Sequence, residues 1–131
     1  GTPYEVQLGR LGMHDAERRD LLGSTPFQPV NAVSDANCDY FPETGHRLCN
    51  GFRAYWQSHG LEFGDPGISF RESLALFGYP ISEEFTDPAT GLTVQYFERA
   101  RFEYHPENPE PYRVLLGLLG AEEVRAKGWI R

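Results

Sequence analysis

Positive charge is what this chain has least of. One lysine, Lys127, joins eleven arginines against nineteen acidic residues, giving a formal charge of −7 and a pI near 5.0. Phosphate binding needs clustered Lys or Arg, so nucleic acid is disfavoured as a partner. The sequence has no run of roughly 18 apolar residues able to span a bilayer, which argues against membrane insertion. No basic start followed by an apolar stretch marks an export signal, so the sequence reads as a mature or excised segment. Phosphate-cradling G-x-x-x-x-G-K, dinucleotide-binding G-x-G-x-x-G and the G-x-S-x-G nucleophile elbow are all missing. The four histidines, His14, His46, His59 and His105, share no metal-ligand spacing, and no Cys-x-x-Cys pair exists. No metal and no cofactor is expected. Carboxylate pairs occur at Glu83-Glu84 and Glu122-Glu123, but adjacent side chains diverge in helix and strand alike. They do not make an opposed acid and base, and no catalytic residue is assigned. Asp87-Pro88-Ala89-Thr90-Gly91 lacks the alternating ligands of a calcium loop and reads as a turn.

What is present belongs to a globular chain. The 131 residues fit one domain, with 14% aromatics and 40% hydrophobics, enough to bury roughly two thirds of the unfolded surface. Cys38 and Cys49 flank the turn Phe41-Pro42-Glu43-Thr44-Gly45-His46, and a disulfide closing so short a loop would remove about 3 kcal/mol of unfolded-state entropy. The alternative is a pair of buried free thiols. A bridge would place the protein outside the cytosol, at the cell surface or beyond.

Taken in order, Pro3 to Gly12 (PYEVQLGRLG) reads as a short helix with Tyr4, Leu8 and Leu11 on one stripe. The same stretch returns at Pro111 to Gly120 as PYRVLLGLLG, matching at seven of ten positions with an offset of 108 residues. Recurrence at both ends indicates a unit of a tandem repeat. Residues 1–23 are then expected to be the helical tail of a preceding unit, with a second helix over His14 to Leu22. Residues 24–37 form a linker-like loop, and residues 38–131 form the repeat domain. Gly9 and Gly117 would sit inside helices, where their recurrence points to close approach of another backbone. Within 38–131, Thr44 is a candidate N-cap for a helix from His46 to His59 whose stripe is Leu48, Phe52, Tyr55 and Trp56. A short helix covers Glu72 to Phe77. Two more follow the Pro-rich 106–111 segment: one at 111–119, burying Tyr112, Leu115, Leu116 and Leu119, and one at Ala121 to Lys127.

Between them lies the stretch that organises the domain, Phe77 to Pro106. Leu92, Val94 and Tyr96 alternate with Thr93, Gln95 and Phe97, which predicts a half-buried strand. Phe102 and Tyr104 alternate with Arg101, Glu103 and His105, which predicts its antiparallel partner. The turn near Glu98-Arg99-Ala100 has no Gly or Asn, so a bulge or longer turn is expected. The fold class is α+β: a small single domain with a β-hairpin packed on short helices.

Phe77-Gly78-Tyr79-Pro80, Ser82-Glu83-Glu84 and Val94-Gln95-Tyr96-Phe97-Glu98 together resemble the LGFP-type repeats of bacterial cell-surface and secreted proteins. YFPETGH, FGYPISEEFT and VQYFERARFEYHPEN are more closely similar to an uncharacterised secreted repeat domain of thermophilic green non-sulfur bacteria. The chain departs from the LGFP pattern at Phe77, where Leu is usual, and at Arg99-Ala100, where two glycines are usual. The resemblance implies a non-catalytic module that binds or anchors to cell-wall or other polysaccharide. Sugar rings stack on exposed aromatics while planar polar side chains fix their hydroxyls, so Tyr40, Trp56, Tyr96, Phe97, Tyr104 and Trp129 are candidate platforms. On the hairpin, Gln95, Tyr96, Glu98, Arg99, Arg101, Glu103 and His105 are the candidate ligand face. The expected partners are polysaccharide or neighbouring repeat units, with self-association. A structural repeat of a stalk, surface layer or filament is the first alternative. The second is an accessory domain of a secreted hydrolase, which would gain if Glu43, His46, His59, Asp65 and His105 converged in one cleft.

Overall fold

The two alternating runs form the centre of an antiparallel sheet. In the computed structural model, which describes residues 10–32, 34–60, 67–117 and 119, strands β4 (Thr93–Tyr96) and β5 (Arg101–Tyr104) pair with Tyr96 opposite Arg101 and Thr93 opposite Tyr104. The short β3 (Phe85–Thr86) flanks β4, and β6 (Val114–Leu116) flanks β5, giving the order β3-β4-β5-β6. The other elements are helix α1 (Leu11–Arg18), a hairpin of β1 (Cys38–Phe41) and β2 (His46–Cys49), and helices α2 (Asn50–Ser58) and α3 (Phe70–Phe77). This is a small α+β domain whose central hairpin packs on short helices.

The sheet is covered on both faces. On one side Phe102 and Val114 join Phe41, Leu48, Phe52, Trp56, Phe77 and Phe97 from the small hairpin, α2, α3 and the β4–β5 turn. On the other, Val94 and Tyr96 join Ala16 of α1, Phe27 and Ile81. The second layer is why β4 is not half-buried as its alternation implied: Val94, Gln95 and Tyr96 are all fully buried. It also places residues 10–32 in this domain. Met13 N–H donates to Glu98 O, Glu83 N–H donates to Pro26 O and Val30 N–H donates to Gly45 O, so the segment expected as a tail and linker is hydrogen-bonded into the same body.

The FGYP segment explains a turn without glycine. Glu98 and Arg99 donate their backbone N–H groups to Tyr79 O and Phe77 O, and Phe97 N–H closes on Ala100 O. Residues 98 and 99 are thus held by the neighbouring segment rather than by their own turn geometry. Pro80 bridges Phe97, and Trp56 Nε1 donates to Gly78 O at 3.2 Å. Gly78 itself has φ 78°, and a Cβ there would lie 2.7 Å from Glu98 Cβ. Only glycine makes that turn against that side chain. Ser69 and Glu72 form a capping box at the start of α3.

Two helices expected from apolar spacing are corrected. His46–Cys49 is strand, not the first turn of a helix, because it pairs residue for residue with Cys38–Phe41 and buries His46 and Leu48 alternately. Helix α2 begins at Asn50, and Thr44 lies in the hairpin turn instead of capping it. Residues 114–116 are strand because the open edge of β5 takes up their backbone groups; Tyr112, Leu115 and Leu116 are exposed, and of the expected stripe Leu119 alone is buried. Gly117 is therefore not helical. Its N–H donates to Arg101 O, and a Cβ there would fall 2.6 Å from the Arg101 guanidinium. The helix expected at 121–127 and residues 3–9 of the one expected at 3–12, with Gly9, Asp65 and Trp129, lie outside the described residues, while Leu11 and Gly12 belong to α1.

Cys38 and Cys49 are opposed in register and joined by a disulfide. Reduction should lower stability by about 3 kcal/mol, read as a fall in melting temperature with and without reductant. Phe102→Ala, which empties the centre of the larger cluster, should cost about 3–5 kcal/mol in denaturant unfolding. A loss under about 1 kcal/mol would be at odds with its complete burial.

Candidate functional site

The residues expected to face a ligand divide into three settings. Gln95 and Tyr96 are fully buried, and Arg101 is 5% exposed. Gln95 Nε2 donates to Arg47 O and Ser82 O at 2.8 Å each, tying the small hairpin to the sheet. Glu98 accepts from Tyr79 N–H and braces FGYP, while the exposed Arg99 donates to Ala75 O. Glu103 and His105 are half-buried beside Arg101: Arg101 Nε donates to Glu103 Oε2 at 2.9 Å, and His105 Nε2 lies 3.2 Å from Glu103 Oε1. The polar row on β5 thus exists as the spacing predicted, but its side chains bond along the strand and inward.

Tyr96 and Arg101 belong to a network that anchors α1. The Tyr96 hydroxyl donates to Asp15 Oδ2 at 2.5 Å and accepts from Arg19 Nη1 at 2.6 Å. Arg101 Nη1 donates to Asp15 Oδ2 at 3.1 Å, and Arg18 also pairs with Asp15. Arg19 forks onto Asp87, with Nη2 to Oδ1 at 2.6 Å and Nη1 to Oδ2 at 3.1 Å. Asp15 and Asp87 are almost wholly removed from solvent. Burial alone would raise the Asp87 carboxyl. Arg19, the Ala89 N–H and the charge of Arg101 together hold it below the usual range. Burial and the bond to Asp15 push the Tyr96 hydroxyl up from 10.0 to about 12, with Arg101 partly opposing. Glycine at position 12 lets the helix sit this close, since a Cβ there would fall 1.8 Å from Phe97 O.

A second polar knot joins the hairpin to the 81–84 segment. His46 Nδ1 lies 2.8 Å from Glu83 Oε2, and Arg47 donates from its backbone N and from Nε to the same carboxylate. Burial opposes ionisation of Glu83, but His46 and Arg47 outweigh it, so its pKa is lowered.

Among the described residues, ligand-sized space opens beside α3, in a depression of about 410 Å³ lined by Trp56, Ile68 and Phe70, and where α2 passes the β5–β6 edge. Two adjoining depressions of about 420 and 410 Å³ share Gly51, Tyr104 and Glu110. Asn50, Thr93 and Glu84 line the first; Tyr55, His59 and Arg113 are among those lining the second. The Tyr104 ring is 37% exposed between them. Asn50 opens α2 with φ 52°, a left-handed conformation that Asn tolerates better than most residues, and it turns the chain at the groove wall. Glu84 is solvent-exposed at the rim, yet neighbouring atoms and the charge of Glu83 raise its carboxyl above the usual value. Tyr104 is the one groove residue that aromatic spacing pointed to. Asn50 and Glu110 carry no signal in the sequence, and Glu84 and His59 stood out there only for acid–base chemistry, because helix, loop and strand ends bring the four together only in three dimensions.

Chemistry-bearing groups are otherwise dispersed. His46 is bound to Glu83, His59 stacks on Tyr55, and His105 bonds to Glu103 and Glu107, while Glu43 is exposed in the hairpin turn. Among the described residues no three His, Cys, Asp or Glu side chains gather to hold a metal ion, and no helix is long and apolar enough to cross a membrane.

The network sets a pH test. Tyr96 is held neutral in the folded state, so its contribution to stability is complete below about pH 10 and is lost as pH rises towards 12. Absorbance titration should show one tyrosine ionising near 12, moving down in Asp15→Ala as the carboxylate that holds its proton is removed. That variant should also cost about 3–5 kcal/mol, since it strands Arg101 and Tyr96 without their acceptor. Compared with protein-family models, curated proteins and solved structures, the chain matches none, and its reading rests on this geometry.

Proposed function

We propose that this chain is a non-catalytic extracellular module that binds polysaccharide in the groove beside Tyr104. The observation that carries the reading is the pair of depressions meeting at one half-exposed aromatic ring, with carboxylates, an asparagine and an arginine around it. A flat ring offers a stacking face to the C–H surface of a sugar. Glu84, Glu110, Asn50 and Arg113 offer acceptors and donors around it for ring hydroxyls. Two joined depressions suit consecutive residues of a chain better than one isolated monosaccharide. The disulfide is compatible with life outside the cytosol. The resemblance of FGYP and VQYFE to LGFP-type cell-surface repeats supports the same reading.

A second reading, a structural repeat of a surface assembly, is favoured by one separate observation, the recurrence of PYxVxLGxLG at a spacing of 108 residues. The two differ in what they require of the groove. On purified cell-wall polysaccharides or a glycan array, the chain should be retained, and Tyr104→Ala should weaken retention at least about tenfold, the ~1.4 kcal/mol that an aromatic platform contributes. Tyr104→Ala should leave the melting temperature nearly unchanged, because the ring is not part of either core cluster. Absence of retention on every polysaccharide would remove the binding reading and leave the structural one.

A further inference from the structure

The structure shows what α1 needs in order to dock, and the recurrence can be extended with that knowledge. Aligned at the offset of 108, Leu11 to Leu22 (LGMHDAERRDLL) faces Leu119 to Ile130 (LGAEEVRAKGWI). Only two of these twelve positions are identical, yet the chemistry matches where α1 is constrained. Gly12, with no room for a Cβ beneath Phe97 O, is Gly120. Asp15, the buried acceptor of Tyr96 and Arg101, is Glu123. Ala16, fully buried against the sheet, is Val124. Arg19, which forks onto Asp87, is Lys127. Asp20 ends the helix with φ 58°, and its counterpart is Gly128, the residue best suited to that conformation. Leu21, packed against the smaller core cluster, is Trp129. The substitutions that change chemical type, Met13 to Ala121, His14 to Glu122, Glu17 to Arg125 and Arg18 to Ala126, fall at half-buried or exposed positions. The most deeply buried contacts of α1 are thus kept in kind, while Met13 at the edge of the smaller cluster and Arg18, the half-exposed partner of Asp15, are not.

We propose that residues 118–130 are built to dock on the sheet of a second copy of this unit, in the place that residues 10–22 occupy here. The receiving surface is the β4–β5 face with Tyr96, Arg101, Asp87 and the Phe97 carbonyl, which grips an acid, a small residue and a base spaced as in α1. The segment starts immediately beyond β6, which ends at Leu116 on the edge of the first unit's sheet. Two units joined this way are held with little freedom between them. This inference is independent of the polysaccharide reading, since the receiving face and the Tyr104 groove lie on opposite sides of the sheet.

The test is a full-length chimera in which residues 10–22 are replaced by the sequence of 118–130. It should unfold cooperatively, and Tyr96 should still ionise well above pH 10, as expected if the incoming helix keeps that hydroxyl buried and the carboxylate of Glu123 takes its proton. An unfolded chimera, or one in which Tyr96 titrates at the ordinary value, overturns the proposal. A second measurement reads docking between molecules. Gly12→Leu drives a side chain into Phe97 O and dislodges the resident helix, so the full chain should form larger, concentration-dependent oligomers by light scattering. Adding Gly120→Leu should reverse this. A Gly12→Leu chain whose mass is unchanged from the parent, or oligomers that persist in the double variant, would equally refute it.

Discussion

Under helix α1, a carboxylate, a phenol and a guanidinium group meet with almost no access to solvent, a second guanidinium, Arg19, closes over them, and the rest of the fold depends on their being matched. Asp15, Tyr96 and Arg101 are each at most 5% exposed. Desolvating such charges costs several kcal/mol apiece and is tolerable only where every one finds a partner at good geometry. That condition is strict about position. A helix displaced by one residue would bring Asp15 away from Tyr96 and Arg101 and leave ions buried without counterions. Apolar contacts alone, such as Ala16 on Val94, would accept several nearby placements. The network thus selects one placement from among those that hydrophobic packing allows, and in doing so fixes the second layer of the sheet.

The second layer decides how far the sequence could be read. Period-two alternation located β4 and β5 and their antiparallel pairing, because the two faces of each strand differ enough to show it. Alternation also implied that the polar members point to solvent, which fails for Gln95 and Arg101. Both are polar residues with dedicated buried partners, Arg47 and Ser82 for one and Asp15 for the other, and a linear pattern cannot distinguish a solvated polar side chain from a satisfied buried one. Segments 46–49 and 114–116 failed for a related reason. Each is a short apolar run whose state is set by a distant edge, β1 for one and β5 for the other, rather than by its own spacing. The disulfide was legible because loop length and a Pro-Gly turn are local properties, and the structure places its halves opposite each other in a hairpin.

FGYP shows how motif and turn chemistry share one explanation. Its carbonyls at Phe77 and Tyr79 take the N–H groups of Arg99 and Glu98, and its Gly78 accepts contact from Glu98 while its own carbonyl receives Trp56. The sequence pair FGYP and FER therefore acts as one structural part split across about twenty residues. Residues in such a part are constrained by the turn they build, so a motif of this kind speaks first for fold and only through the fold for a ligand. That is consistent with Glu98 and Arg99 bracing the turn while the open groove forms around Tyr104.

The two faces of the sheet separate the roles proposed for them. Tyr104 and Thr93 are register partners and open towards α2, whereas Val94 and Tyr96 face α1. A second unit docked through residues 118–130 would engage the α1 side of its own sheet and leave its Tyr104 groove uncovered. Docking would then set several grooves at fixed separations, so that a long polymer held weakly at one groove meets the next at a high effective concentration. Avidity of this kind can exceed single-site affinity by about 10²–10⁴ without any new contact. If the Tyr104 groove takes a sugar chain, as proposed, units held at fixed spacing through their α1 faces would gain by this route what one ring contributes only weakly.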